Sequence, residues 1–129
     1  MTDDAQAPDV LIIDDDDAVR EAYAKVLQQA GFSVLAVHSG QAAFAELERH
    51  AFRVLVCDYQ MPSLKGGALF EQIEEAFPPM ASRVVFVTAW ANDERIRAIL
   101  ERSGQPILEK PIESEELVAA VRRIHEATA

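Results

Sequence analysis

The sequence predicts an α/β fold, a single doubly wound (βα)5 domain with a parallel sheet and helices on both faces. Three observations predict it. Five short apolar runs punctuate the chain. Segments with apolar residues at helical spacing lie between them, so strand and helix alternate five times with short links. The length, 129 residues, matches one domain able to bury roughly 65–70% of its extended surface around one core. That domain takes in residues 1–129, with its core over about 9–126.

The first strand is Val10–Ile13, an unbroken apolar run of the kind covered on both faces. Val19, Ala22, Tyr23, Val26, Leu27 and Ala30 then recur at helical spacing, and Gly31 stops that helix. Phe32–Val37 reads as the second strand, followed by a shorter helix with Ala43, Phe44 and Leu47 on one side. The third strand is Val54–Cys57. Its helix carries Leu69, Phe70, Ile73, Ala76 and Phe77, and Pro78-Pro79 punctuate the loop after it. Val84–Thr88 is the fourth strand, with Ile96, Ile99 and Leu100 as a narrow stripe closed by Ser103-Gly104. Pro106–Leu108 is the fifth, marked mainly by the flanking Gly104 and Pro111. Leu117, Val118, Val121 and Ile124 stripe a last helix entered through Glu113-Ser114, and its final residues are expected to fray.

Composition narrows the function. A net charge of -10 disfavours nucleic acid and anionic membranes, whose phosphates attract basic patches, and suits a cation or a basic protein partner. Cys57 is the lone cysteine, which rules out an internal disulfide and reads as a small core residue. The opening MTDDAQAPD has no secretory pattern, and no apolar run approaches a membrane span, so a cytoplasmic location is the expectation.

In doubly wound sheets, ligands sit outside the carboxyl ends of the strands. The residues found there are Asp14–Asp17, Asp58, Thr88 and Lys110, while the second strand offers only His38-Ser39. If the first and third strands are neighbours, Asp14 and Asp15 face Asp58. Converging carboxylates need a positive charge, and Mg²⁺ suits a small, partly hydrated oxygen site. Such a site often holds a phosphate as well. Thr88 can then donate to one phosphoryl oxygen and Lys110 can pair with another. Asp58, the solitary acid between the metal pair and the lysine, is the natural nucleophile for an acyl phosphate. Asp17 reads as the cap of the first helix, and Asp16 divides between that role and the acid cluster. His38, His50 and His125 show no ligand spacing and read as surface residues. Tyr59 and Trp90 either cover the mouth of the site or are partly buried without a role.

From Val10 to about Ile124 the chain resembles the receiver domain of bacterial two-component response regulators. The matching segments are LIIDDDDAVR, LVCDYQMP, VVFVTAW and ILEKP, in that family's order and spacing. The resemblance implies a flavodoxin-like sheet of order 2-1-3-4-5. It implies that Asp58 accepts a phosphoryl group from a histidine kinase or histidine phosphotransfer protein. Asp15, Asp58 and the main-chain carbonyl of Gln60 would ligate Mg²⁺, with Asp14 acting mainly through water. Thr88 would be the switch hydroxyl. Lys110 would pair with Asp58 before phosphorylation and with the phosphoryl group after it, and the Lys110–Pro111 peptide would be cis. An unknown downstream protein would read the fourth helix, fifth strand and fifth helix, a face also open to a homodimer.

The departures are specific. Ile107 stands where the family usually has an aromatic switch residue, and Ile112 replaces a common Phe. Ser63 and Lys65 replace a Gly and an Asp in the loop after the nucleophile, and Asp17 replaces a frequent Pro. The stretch SGQPILEKP resembles receivers attached to hybrid sensor kinases. Gln60, two residues beyond Asp58, is placed for its side chain to hold a water attacking the phosphoryl group, and so to tune dephosphorylation.

Other readings compete. A Mg²⁺-dependent phosphohydrolase with an aspartyl nucleophile usually carries a second acid where this chain has Gln60, and a cap domain for which there is no room. A degenerate receiver that binds partners without phosphorylation draws support from Ile107 and is opposed by the full set of acids, Thr88 and Lys110. A DNA-binding regulator is disfavoured, since no basic recognition helix is present. The expectation is a stand-alone response regulator rather than an enzyme, catalysing only its own phosphotransfer and dephosphorylation.

Overall fold

Strand and helix alternate in the order β1 (Val10–Ile13), α1 (Asp17–Gln29), β2 (Val34–Val37), α2 (Gly40–Arg49), β3 (Val54–Asp58), α3 (Gly66–Ala76), β4 (Val84–Thr88), α4 (Glu94–Arg102), β5 (Ile107–Glu109) and α5 (Ser114–Ala127). The structure, a computed structural model, describes residues 8–59, 66–89 and 94–128. The five strands are all parallel, in the order β2-β1-β3-β4-β5. This is the doubly wound sheet that the sequence predicts.

The strand period of two sorts the core into two layers. Leu11, Ile13, Leu55, Cys57, Val84 and Phe86 face α2, α3 and α4, where they meet Ala43, Leu47, Leu69, Ile73 and Leu100. Val10, Ile12, Val54, Val56, Val85 and Val87 face α1 and α5, against Leu27, Leu117, Val121 and Ile124. The three central strands are buried throughout, whereas the edge strands β2 and β5 are only half-buried. Cys57 is buried in the core as expected.

Several boundaries differ from the sequence reading, each for a local reason. Phe32 lies before β2 because it closes α1. Gly31, at φ 102°, bonds to the Gln28 carbonyl, and the Phe32 N–H bonds to that of Leu27, the paired arrangement that ends helices on a left-handed glycine. The Phe32 ring is thereby turned inward, edge-on to His125 and beneath the Arg122 guanidinium. β5 starts at Ile107, since Pro106 has no N–H and contributes only its carbonyl, to Phe86. Pro78-Pro79 open a 3₁₀ turn that buries Met80, more than a punctuated loop.

Three further expectations are corrected. α1 is capped by Asp16, whose Oδ1 accepts from the Val19 N–H at 3.1 Å, and not by Asp17, which is the first helical residue. Ala22 is exposed, and Ala24 packs in its place. The last turn of α5 is held: Arg53 donates to the His125 carbonyl at 2.6 Å and to Thr128 Oγ1 at 3.2 Å. His125 is therefore half-buried, with Nε2 3.0 Å from Asp9 Oδ2, and His50 is half-buried beside Phe52, while His38 is exposed. The side chains of Ile96 and Ile99 lie outside the described residues.

Candidate functional site

The sheet register builds the site. β1 pairs with β3 up to Ile13↔Cys57, so the next residues, Asp14 and Asp58, stand opposite each other. Ile12 and Val56 face the α1/α5 layer, and the period of two turns Asp14 and Asp58 to that same side. Main-chain bonds continue to the strand ends: Asp14 N to Val37 O at 3.1 Å, Tyr59 N to Val87 O at 3.0 Å and Lys110 N to Thr88 O at 2.8 Å. The functional side chains thus rise from rigid backbone.

One carboxylate oxygen from each of Asp14, Asp15 and Asp58 lies within 4.8 Å of the others. Asp14 is 1% exposed and Asp58 4% exposed, while Asp15 faces solvent. Lys110 Nζ lies 3.4 Å from Asp58 Oδ2, a long ion pair beside a largely buried acid. Asp14 Oδ1 accepts from the Asp16 N–H at 2.9 Å. Asp14 Oδ2 is buried and has no hydrogen-bond partner among the described residues. Burial pushes the Asp14 carboxyl up to about 6, with the Asp58 and Asp15 charges adding and the Asp16 N–H and Lys110 opposing. Nearby, burial and then the charges of Asp14, Asp58 and Asp16 push the Tyr23 phenol up to about 12. Burial does the same to the Cys57 thiol, which is therefore inert.

A hard dication fits this set. Among the described residues, every side-chain ligand is an oxygen, three carboxylates face one lysine, and a buried carboxylate oxygen lacks a donor. Thr88 is fully buried at the end of β4, in the strand next to Asp58. The run of four acids divides in two. Asp14 and Asp15 join the cluster, whereas Asp16 caps α1 and Asp17 pairs with Arg20. The Lys110–Pro111 peptide is cis, as the resemblance implies. Gln60, Ser63, Lys65 and Trp90 lie outside the described residues.

Two neighbours escaped the sequence reading. Arg20 donates to the Asp14 carbonyl and to Asp17. Tyr23 lines an open, mostly apolar concavity of about 510 Å³ with Val19, Ala22, Lys110, Pro111 and Ile112. The only signal for Arg20 is its place three residues after Asp17 on a helix.

Fold and site together define a doubly wound α/β domain with an acidic centre at its strand ends. Residues 10–122 match the model of the response regulator receiver domain family. The chain belongs to that family, the signalling module of two-component systems. It is 32% identical over 117 residues to the response regulator protein FleR of Pseudomonas aeruginosa, covering 91% of this chain and 24% of that protein. It is 29% identical to a 14.6 kDa protein of Leptolyngbya boryana, covering 89% of this chain and 88% of that one. The receiver domain of Francisella response regulator 1452 superposes with a TM-score of 0.83 at 23% identity, covering 95% of this chain and 99% of that one. The chain thus spans about a quarter of FleR, and 53% of the regulator CrdR of Helicobacter pylori. Receiver domains bind Mg²⁺ through acidic residues and work with histidine kinases or phosphotransfer proteins. No helix among the described residues is long and apolar enough to cross a membrane.

Proposed function

We propose that this chain is a phosphorylation-driven switch with Asp58 as its phosphoacceptor. The observation that carries the reading is the convergence of Asp14, Asp15 and Asp58, with Lys110 against Asp58. An Asp58 oxygen attacks the phosphorus of a phosphohistidine on a kinase or phosphotransfer protein. The O–P bond forms as the P–N bond breaks, and the departing imidazole takes a proton from solvent. Lys110 moves from the carboxylate to a phosphoryl oxygen, and the Thr88 hydroxyl donates to another. Asp15, Asp58 and the Gln60 carbonyl would hold Mg²⁺, with Asp14 acting through water, and the ion would supply the charge that lets an anion approach three carboxylates. The apolar concavity beside Lys110 gives the donor protein a surface next to the acceptor.

The output follows from the added charge. A phosphoryl group brings further negative charge to one end of the sheet and biases a two-state arrangement of the domain. The readout face comprises α4, β5 and α5, for a downstream protein or a second copy of the chain. With Ile107 half-buried on β5 in place of a ring, the shift is carried without an aromatic swing, and Gln60 tunes the return.

Backbone NMR with Mg²⁺ and beryllofluoride, a phosphoryl mimic, tests the reading. Amides near 14–15 shift with Mg²⁺, those near 58–60 and 88–90 shift further once beryllofluoride joins it and not with beryllofluoride alone, and Asp58→Asn abolishes the beryllofluoride response. A wild-type chain that ignores the pair refutes it. Turnover of small phosphate esters would favour the phosphohydrolase instead.

A further inference from the structure

The acidic run Asp14–Asp17 is gripped at both ends by one guanidinium. Arg20, in the first turn of α1, donates from Nη1 to the main-chain carbonyl of Asp14 at 2.9 Å and from Nη2 to Asp17 Oδ1 at 2.5 Å. Its side chain is 18% exposed, which marks a docked fork and not a waving surface charge. The Arg20 N–H also bonds to the Asp16 carbonyl at 2.9 Å as the helix begins.

We propose that Arg20 is a positioning residue for the cation site, one that strengthens divalent-cation binding although it is itself a cation. The inference rests on the reading of Asp14, Asp15 and Asp58 as the Mg²⁺ site. The Asp14 carbonyl belongs to the planar peptide joining Asp14 to Asp15. Fixing that oxygen fixes the plane, and with it the directions in which both carboxylates leave the chain. The remaining atoms of Asp14 are already committed: its N–H to Val37 at the end of β2, and its Oδ1 to Asp16. Only Oδ2 is left without a partner among the described residues. Arg20 thus completes a cage that presents one uncommitted oxygen, while its second arm holds the Asp17 charge on the helix and away from the cluster.

Charge alone predicts the opposite sign. A cation near a cation site repels the ion, and a dication doubles the unit-charge energy, so its removal should tighten binding severalfold. Positioning predicts weaker binding, by about three- to tenfold, at or below the lower end of what losing an outer partner of a metal ligand costs. Lysine separates the two effects, since it keeps the charge and lacks the planar fork.

The test titrates Mg²⁺ into the full chain and its Arg20→Gln and Arg20→Lys variants, followed by calorimetry and by the amide shifts of residues 14–16. Thermal midpoints in EDTA run alongside. Both variants should bind Mg²⁺ about three- to tenfold more weakly, with midpoints that do not track the change. A merely structural role in α1 would lower the midpoints and leave the affinities alone, which overturns the inference. So does Arg20→Gln binding as tightly as wild type or tighter, or Arg20→Lys matching wild type. Failure of the wild type to bind Mg²⁺ at all overturns the site reading itself, and is distinct from the other outcomes.

Discussion

Replacing Asp14 by Asn should make the metal-free protein more stable near neutral pH, and the size of the effect should depend on pH in one direction. The folded state holds the Asp14 carboxyl at about 6 against an ordinary 3.8. Between those values the native chain keeps a proton that the unfolded chain has released. The stabilisation from that proton is fully present below about 3.8 and is lost as pH rises through about 6. The shift is worth about 3 kcal/mol, and 129 residues convert this to roughly 10 °C in the midpoint. Asparagine keeps an oxygen for the Asp16 N–H and never ionises, so it recovers about 1–3 kcal/mol of that amount. Thermal melts by circular dichroism in EDTA, from pH 4 to 8, read the gap between variant and wild type. The gap should be near zero at the acid end, grow through pH 6 and level off above it. Saturating Mg²⁺ should narrow or reverse the gap, because the wild type, with an ionised Asp14 facing the ion, gains more by binding than the variant does. A gap that is flat across the range, or a less stable variant at pH 8, refutes the reasoning.

Lys110→Ala removes the ion pair that Lys110 makes with the buried Asp58 at 3.4 Å. Denaturant titration should show a loss of about 1–3 kcal/mol in EDTA, below the full cost of breaking a buried pair because the lysine is partly exposed, and Mg²⁺ should restore more stability to the variant than to wild type. Asp16→Ala should cost about 1 kcal/mol as the loss of a helix cap, and Asp17→Ala less than about 0.5 kcal/mol as an exposed ion pair; the reverse ranking would show the cap misassigned. Arg53→Ala frees the last turn of α5, so amide exchange should quicken at residues 126–128 and stay unchanged in β1, β3 and β4. Equal exchange in both proteins would mean that the clamp holds nothing.

The central strands were legible because both of their faces are buried, which leaves Val10–Ile13 and Val84–Thr88 as unbroken apolar runs. The edges were less so. β2 and β5 are half-buried, and Phe32 is apolar because it closes a helix, not because it belongs to a strand. Four identical acids in a row hide the cap, since only backbone angles decide that Asp16, at φ -87° and ψ 115°, precedes the first helical residue. The candidate site was legible through topology: parallel strands deliver their carboxyl ends to one edge, so Asp14, Asp58, Thr88 and Lys110 could be picked out before any distance was known. Arg20 was not, because its contact with Asp14 exists only once α1 leans across the end of β1. His125 pairs with Asp9 across 116 positions, and no local pattern announces such a contact.

The central claim is that Asp58 takes up a phosphoryl group in a site completed by a divalent cation. Intact-mass spectrometry after incubation with acetyl phosphate and Mg²⁺ tests it most directly. One phosphoryl group per chain, located at Asp58, not formed when the cation is chelated before acetyl phosphate is added and absent from Asp58→Asn, is the predicted result. An unmodified wild-type chain, or a label that survives in Asp58→Asn, would contradict it.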